Sequence, residues 1–254
     1  MPLDIHVTPS GVSMRLEERP VRRRIALVVL ATDHTSERDF ARICDPAEVG
    51  VYTNRIAFEN PTTRDSLLRT GPRLTEAAAQ ILPGEPVDVL AYGCTAASIV
   101  LGNAAVTDHL HAAKPDTPCV TPSSAAFDAF AALGVRRIAL LAPNSLPVTE
   151  DLAQYFAQHG PDVLRATALG LEDDREMARI SEASIIEAAL AADDPAAEAL
   201  FLSCTALRAL PCIARIEAAL GKPVVSSNQA MIWRSLRLTG ARQPVPGYGQ
   251  LFTL

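Results

Sequence analysis

Eight short apolar runs, with helical segments between most of them, constrain the fold of this chain most strongly. The first four are RIALVVLA (24–31), VGVYTN (49–54), VDVLAYG (87–93) and PCVTP (118–122). The second four are RRIALLAP (136–143), VLRATALG (163–170), EALFLSC (198–204) and PVVSS (223–227). Helical spacing of apolar residues fills 64–81, 96–113, 147–158, 175–192, 206–220 and 229–239. Near-continuous apolar strands that alternate with helices predict an α/β fold with parallel sheets covered on both faces.

The two groups of four strands repeat each other. The pentapeptide RRIAL begins at Arg23 and again at Arg136, and Cys-Thr-Ala follows the third strand of each group. Ile25 and Cys94 are 69 positions apart, and Ile138 and Cys204 are 66 apart. A Pro-led strand that runs into Ser-Ser closes each group. These landmarks predict two Rossmann-like α/β halves, related by a pseudo-repeat, with a cleft between them.

The repeat also predicts the domain organisation. Residues 1–22 form an N-terminal arm, 23–123 the first half and 124–227 the second half. The C-terminal segment, 228–254, is expected to pack back against the first half.

Each half places a cysteine at the carboxyl end of a strand, where open parallel sheets bind their ligands. If the halves face each other, Cys94 and Cys204 approach one cleft from opposite sides. Each is expected at the start of a helix, which favours the thiolate and lowers the pKa of a cysteine below ~8.5. Backbone N–H groups and the hydroxyls of Thr95 and Thr205 suit a carboxylate. A lone cysteine at a strand end is usually a small buried apolar residue, but the matched positions favour catalysis.

Charge and composition exclude several classes of protein. The net charge is −6 and the acidic and basic residues are interspersed, so the sequence predicts no basic surface that would bind nucleic acid or an anionic membrane. No apolar stretch reaches the ~18–20 residues that span a bilayer, and the N-terminus lacks the apolar core of a signal peptide. The cysteines form no C-x-x-C, and there is no P-loop, dinucleotide glycine fingerprint or metal-ligand spacing. We expect a cytoplasmic protein with reduced thiols, no cofactor and no metal; a homo-oligomer is left open.

Several longer motifs carry a resemblance to a known group of enzymes. They are IALVVLATDHTSERDF, YGCTA, ALGVRRIALLAP, REMARIS, LSCTAL, GKPVVSSNQAMIWRSLRLTG and PGYGQLF. The chain resembles the aspartate/glutamate racemase superfamily from about Arg23 onward. Within it, the chain is similar to the branch of maleate cis-trans isomerases, arylmalonate decarboxylases and ectoine-utilisation protein A.

The resemblance implies cofactor-independent chemistry at a carbon atom next to a carboxylate. Racemases of the superfamily use two cysteines, one to remove the α-proton and the other to return a proton from the opposite face. Maleate isomerases also have both, and one thiolate adds to the double bond. Arylmalonate decarboxylases keep the counterpart of Cys204 and have glycine in place of Cys94. With both cysteines, this chain is predicted to be an isomerase or racemase of a small carboxylic acid.

Departures from the isomerase pattern affect the predicted substrate-binding residues. Maleate isomerases carry asparagine where this chain has His34 and Ala96, and tyrosine where it has Asn144. These replacements point away from maleate itself, and the stretch around His34 looks more like ectoine-utilisation protein A. His34 is either a carboxylate ligand or an exposed loop residue. Asp174 lies near a ligand-binding asparagine of the isomerases, with a helix N-cap as the alternative.

Two other interpretations remain open at this stage. One is an arylmalonate-type decarboxylase that uses Cys204 alone. The other is a non-catalytic ligand-binding protein of ectoine-type catabolism.

Overall fold

The strands form two separate four-stranded sheets in a computed structural model that describes residues 5–254. Within that range the strands are β1 (Arg23–Leu30), β2 (Val49–Ile56), β3 (Val89–Gly93), β4 (Cys119–Val120), β5 (Arg137–Asn144), β6 (Asp162–Leu171), β7 (Ala199–Leu202) and β8 (Val224–Ser226). The sheets have the orders β2-β1-β3-β4 and β6-β5-β7-β8, and all neighbours are parallel. The predicted α/β class with two repeated parallel halves is therefore confirmed.

The helices in residues 5–254 are more broken than the sequence predicts. They are α1 (Ser36–Ile43), α2 (Arg64–Leu68), α3 (Leu74–Ala79), α4 (Thr95–Leu101), α5 (Asn103–His111), α6 (Pro122–Leu133), α7 (Leu146–His159), α8 (Asp174–Met177), α9 (Glu182–Ala192), α10 (Ile213–Leu220) and α11 (Ser227–Leu238). Short 3-10 helices occupy Gly71–Arg73, Leu210–Cys212 and Gln250–Thr253.

Glycine and proline explain two of the differences. The helix predicted over 96–113 is interrupted at Gly102, whose φ of 86° an α-helix does not accommodate. The helix predicted over 206–220 starts only at Ile213, because Pro211 lies in the preceding 3-10 turn. Helix α6 was not predicted, although Thr121 and Ser124 form a capping box and Pro122 occupies the first turn.

Helices α6 and α11 cross between the halves. Phe130 of α6 packs edge-on against Phe201 of β7, with 5.6 Å between ring centroids, and α6 also contacts β8. Helix α11 follows β8, yet it contacts α1, β3 and β4. The two crossing helices pack against each other. The boundary residues of the halves stay a prediction.

The core follows the apolar runs. Residues 25–29 of β1 and 138–142 of β5 are fully buried, and each of these strands lies inside its sheet. Burying both faces of these strands fixes where their carboxyl ends emerge, which positions the loops that follow them. No helix of residues 5–254 is long and apolar enough to cross a membrane.

Asp39 is a buried carboxylate where α1 meets α11. Asn228 Nδ2 donates a hydrogen bond to it at 3.0 Å, and Arg42 Nη1 lies 3.5 Å from its other oxygen. Burial outweighs these favourable contacts and raises the pKa of Asp39 to about 6.

We expect Asp39→Asn to stabilise the protein at pH 7. The folded pKa lies above the reference value of 3.8, so the native state holds this proton more tightly than the unfolded state does. That stability is fully present below about pH 4 and is lost as the pH rises through 6, a change of about 3 kcal/mol. Urea unfolding at pH 4 and pH 7 measures the difference. Asp108→Asn, at an exposed position, serves as the control, and equal pH dependence in the two variants would contradict the assignment.

Candidate active site

The carboxyl ends of both sheets face one small cleft. Its walls are formed by Leu30, Asp33, Thr62, Leu67, Gly93, Cys94, Thr95, Ala96, Asn144, Leu152, Asp174, Cys204, Thr205 and Ala206. The last residue of β5 and the segments that follow β1, β2, β3, β6 and β7 contribute to this set. The structure thus brings Cys94 and Cys204, one from each half, to the same cleft.

The cleft is nearly closed. Its free volume is about 20 Å³, enough for about one water molecule, and it adjoins an apolar pocket of about 180 Å³. Two contacts join the loops after β2 and β6 at its edge. Thr62 N donates to the carbonyl of Glu172 at 2.7 Å, and Asn60 Nδ2 donates to Asp173 Oδ1 at 2.9 Å. We therefore expect these two loops to separate when a carboxylic acid enters.

Cys94 ends the first half's third strand and caps the helix that follows. It is the N-cap of α4, and its Sγ accepts a hydrogen bond from Ala97 N at 3.4 Å. The side chain is buried, and burial raises the pKa of the thiol well above its ordinary value. The negative charge of Asp174 raises this pKa further.

Cys204 occupies a strained turn rather than a helix start. Its φ is 121°, a conformation that L-residues rarely adopt and that costs about 1–3 kcal/mol. The backbone N–H groups of Ala206 and Leu207 favour the thiolate form of Cys204, and Met177 Sδ lies 3.9 Å from its sulfur. Burial raises the pKa of this thiol to about 12, and Asp174 contributes in the same direction.

Two parts of the sequence prediction for the cysteines were wrong. Only Cys94 begins a helix, because the chain after Cys204 makes a turn before the 3-10 segment. The pKa of each thiol is raised rather than lowered. The amide donors favour the thiolate, but loss of water around the sulfur and the nearby carboxylate of Asp174 outweigh them.

Ser227 connects the two cysteine turns through one fully buried hydroxyl. Its Oγ accepts a hydrogen bond from Thr95 Oγ1 at 2.8 Å and another from Cys204 N at 3.0 Å. Thr205 Oγ1 adds a third link, to the carbonyl of Gly93 at 3.1 Å. These bonds hold the two thiol-bearing turns in register across the halves.

We expect Ser227→Ala to slow turnover about tenfold, because both turns lose their shared acceptor and the thiols shift relative to each other. The measurement is kcat for the isomerase or racemase activity that the sequence predicts, together with proton exchange on each face of the substrate, and both exchange rates should fall. Ser235→Ala is the matched control, since Ser235 is buried in the same helix and its hydroxyl, among residues 5–254, bonds only to the carbonyl of Met231. An equal loss in both variants would mean that α11 is merely destabilised.

Asp174 is the carboxylate that most affects both thiols. It is the first residue of α8, while the N-cap is Asp173, so the N-cap alternative for Asp174 was wrong. Its two oxygens accept hydrogen bonds from Thr32 Oγ1 at 2.8 Å and Thr62 Oγ1 at 3.2 Å. Burial raises the pKa of Asp174 against these bonds.

The remaining predicted ligands are distributed unevenly. Ala96 and Asn144 line the cleft, and Asn144 is buried. Thr95 and Thr205 also line it, but their hydroxyls donate to protein oxygens. His34 is exposed and is not among the lining residues. The substrate-binding roles of all these residues stay predictions.

Sequence reasoning missed three lining or supporting residues: Asp33, Thr62 and Ser227. Asp33 is buried beside the exposed His34 and accepts hydrogen bonds from Thr35 N and Ser36 N. An aspartate shortly before a helix was a usable signal, because aspartate side chains commonly accept hydrogen bonds from backbone N–H groups in turns of this kind. Thr62 lies in a loop without a distinctive motif, so no sequence signal singled it out.

The fold and the paired thiols define a class of α/β enzymes with cysteines from two repeated halves. Comparison with known proteins gives the family. The family model described as arylmalonate decarboxylase matches residues 73–252, so the chain belongs to that family. The resemblance to arylmalonate decarboxylases and maleate isomerases, stated from the motifs, is confirmed.

Relatives of two activities match this chain. Arylmalonate decarboxylase of Bordetella bronchiseptica is 37% identical over 153 residues, covering 59% of this chain and 63% of the relative. The aligned part therefore spans less than two thirds of that enzyme. Maleate isomerase of Pseudomonas putida is 29% identical over 243 residues, covering 91% of this chain and 97% of the relative.

A solved structure supports the fold. Maleate cis-trans isomerase of Nocardia farcinica superimposes with a TM-score of 0.83 at 24% identity, covering 91% of this chain and 98% of that one. That structure is of a cysteine-to-serine mutant with a covalently bound succinylcysteine intermediate.

Proposed function

We propose that this protein is a cofactor-independent isomerase of a small carboxylic acid, with Cys94 and Cys204 as the reacting groups. The observation that carries the proposal is that the two thiols, one from each half, line one nearly closed cleft. Matches to maleate isomerases over nine tenths of the chain support an isomerase.

In the proposed reaction, the two sulfurs exchange one proton each with the substrate. One sulfur, as the thiolate, removes the proton from the carbon next to the carboxylate. The electron pair left on that carbon delocalises into the carboxylate, and the opposite thiol then donates its proton to the other face. The configuration is inverted, and the first sulfur ends as thiol and the second as thiolate. No bond to another group is made or lost.

The hydrogen bonds in the cleft fit this exchange of roles. Backbone N–H groups favour the thiolate form of each sulfur, that of Ala97 for Cys94 and those of Ala206 and Leu207 for Cys204. These donors stabilise whichever sulfur is ionised. Loss of water around the sulfurs raises the pKa of both thiols, so the sulfur that is not ionised keeps its proton and can donate it to the substrate carbanion.

Addition of a thiolate to a carbon–carbon double bond is the second route open to an isomerase of this kind. The succinylcysteine intermediate of the Nocardia enzyme is an adduct of this type in that protein. In this chain the thiolate of Cys94 or Cys204 would add to one carbon of the double bond while the other thiol protonates the adjacent carbon. After rotation about the central bond, a proton from that adjacent carbon would return to the second sulfur and the carbon–sulfur bond would break, which restores the double bond, the thiol and the thiolate.

The second candidate is a decarboxylase, favoured by the family match and by the Bordetella relative. In that reaction a carboxyl group leaves as CO₂, and Cys204 protonates the resulting carbanion. Cys94 would then be dispensable. A role in ectoine utilisation, self-association and the cytoplasmic location stay predictions.

Incubation in deuterium oxide with a panel of small carboxylic acids and amino acids tests the proposal. Deuterium at the α-carbon with inversion supports a racemase, and fumarate from maleate supports a cis-trans isomerase. Release of CO₂ from aryl malonates, without exchange in other acids, would favour the decarboxylase. Inertness toward the whole panel would contradict the proposed function.

A further inference from the structure

The charge inside the cleft points to the class of substrate. Two carboxylates, Asp33 and Asp174, are among its lining residues, and both are more than nine-tenths buried. The lining set in the described part of the chain contains no arginine, lysine or histidine. A buried charge normally has a partner of opposite sign.

Asp33 has a structural explanation. Its carboxylate accepts hydrogen bonds from Thr35 N, Ser36 N and Ser36 Oγ at 2.7 to 2.9 Å, where the chain turns into α1. Arg55 also contributes a favourable charge from the side of β2.

Asp174 has no such explanation. Its only side-chain donors in residues 5–254 are the neutral hydroxyls of Thr32 and Thr62. It forms no ion pair there, since the adjacent Arg175 pairs with Asp173. The carboxylate of Asp174 lines the same cleft as both thiols and acts electrostatically on each of them. It is therefore a buried carboxylate beside the reacting groups that lacks a cationic partner among the described residues.

We propose that the substrate carries an ammonium group close to its carboxylate and that Asp174 binds this ammonium group. The inference rests on the proposed function and narrows its substrate to amino acids. Asp174 thereby acts as a specificity-determining residue of the site.

Electrostatics separates this substrate from a dicarboxylate. A zwitterionic amino acid adds no net charge to a cleft that already holds two carboxylates. A dianion such as maleate adds two negative charges to the same confined space, without a basic side chain to offset them.

Binding of the ammonium also affects the thiols. The negative charge of Asp174 is a cause of the raised pKa of both Cys94 and Cys204. A cation bound to Asp174 offsets that charge. The substrate then favours formation of the thiolate that attacks it, whereas an acid without an amino group does not.

Calorimetric titration of a Cys94→Ala/Cys204→Ala double variant tests the ammonium site without turnover. The probes are amino acids, each paired with the same acid without the amino group, 2-aminobutyrate with butyrate and aspartate with succinate. We expect at least one amino acid to bind about tenfold or more tighter than its partner. Adding Asp174→Asn should raise the Kd of that amino acid about 30-fold or more. The Kd of the paired acid without the amino group should change by less than about threefold.

Asp151→Asn is the matched control, because it removes the same charge from the neighbouring pocket without touching the cleft. The tighter binding of the amino acid over its paired acid should persist in the Asp151→Asn variant. Absence of any preference for the amino acid, or a preference that Asp174→Asn leaves intact, would overturn the inference.

Deuterium exchange with the wild type and Asp174→Asn separates this inference from the proposed function. Exchange confined to amino acids and lost in Asp174→Asn supports both. If acids without an amino group exchange, and do so at an unchanged or higher rate in Asp174→Asn, the ammonium site is overturned and the proposed isomerase function stands. If amino acids bind in a way that depends on Asp174 but no acid exchanges, the ammonium site stands and the proposed isomerase function is overturned.

Discussion

Replacement of either Cys94 or Cys204 by alanine is expected to reduce isomerisation by at least about 10²–10⁴-fold. Each sulfur is proposed to address one face of the substrate, so loss of either removes a general acid or base that no neighbour replaces. Serine should not rescue either position, because a hydroxyl is far too weak an acid to supply the anion. The measurement is the rate of inversion of the substrate found in the deuterium screen.

Half of the chemistry should survive in each variant. Cys94→Ala should retain proton exchange on the face addressed by Cys204, and Cys204→Ala the reverse. Cys119→Ala is the control, because Cys119 lies on β4 outside the lining of the cleft and should keep full activity. Full turnover in Cys94→Ala with none in Cys204→Ala would instead favour the decarboxylase candidate.

The second large effect is on the pH profile. We expect kcat/KM to rise about tenfold per pH unit between pH 6.5 and 8.5, a gain of about 10²-fold. The free protein needs one thiolate, and burial together with Asp174 raises the pKa of Cys94 well above its ordinary value and that of Cys204 to about 12. The thiolate fraction far below such a pKa grows in proportion to hydroxide concentration.

Initial rates at low substrate concentration measure this slope, and alkylation by iodoacetamide followed by mass spectrometry measures it without turnover. Alkylation of Cys94 and Cys204 should show the same slope over this range. A plateau of kcat/KM near pH 7 would contradict the raised pKa values and favour the lowered thiol pKa that the sequence predicted.

The sequence predicted the strands well because their signal is local. Runs such as 25–29 and 138–142 are apolar on both faces, which only a strand inside a covered sheet requires. The repeat then placed Cys94 and Cys204 at equivalent strand ends, and the shared cleft followed from topology.

Tertiary burial explains what the sequence could not predict. The choice of His34 over Asp33 depended on which side chain turns inward, and adjacent positions in a loop do not reveal this. The pKa values of the thiols depend on water exclusion by the opposite half and on Asp174, 80 residues after Cys94 in the chain. Ser227 joins two turns that are distant in sequence, so no local pattern marks it.

The backbone at Cys204 makes this position a point of conflict between activity and stability. Its φ of 121° favours glycine, so the thiol is retained there against the local conformational preference. Substitution by glycine would relieve the strain and remove the reactive sulfur in the same step. A search for more thermostable variants of this protein would therefore tend to select inactive ones at this residue unless activity is assayed in parallel.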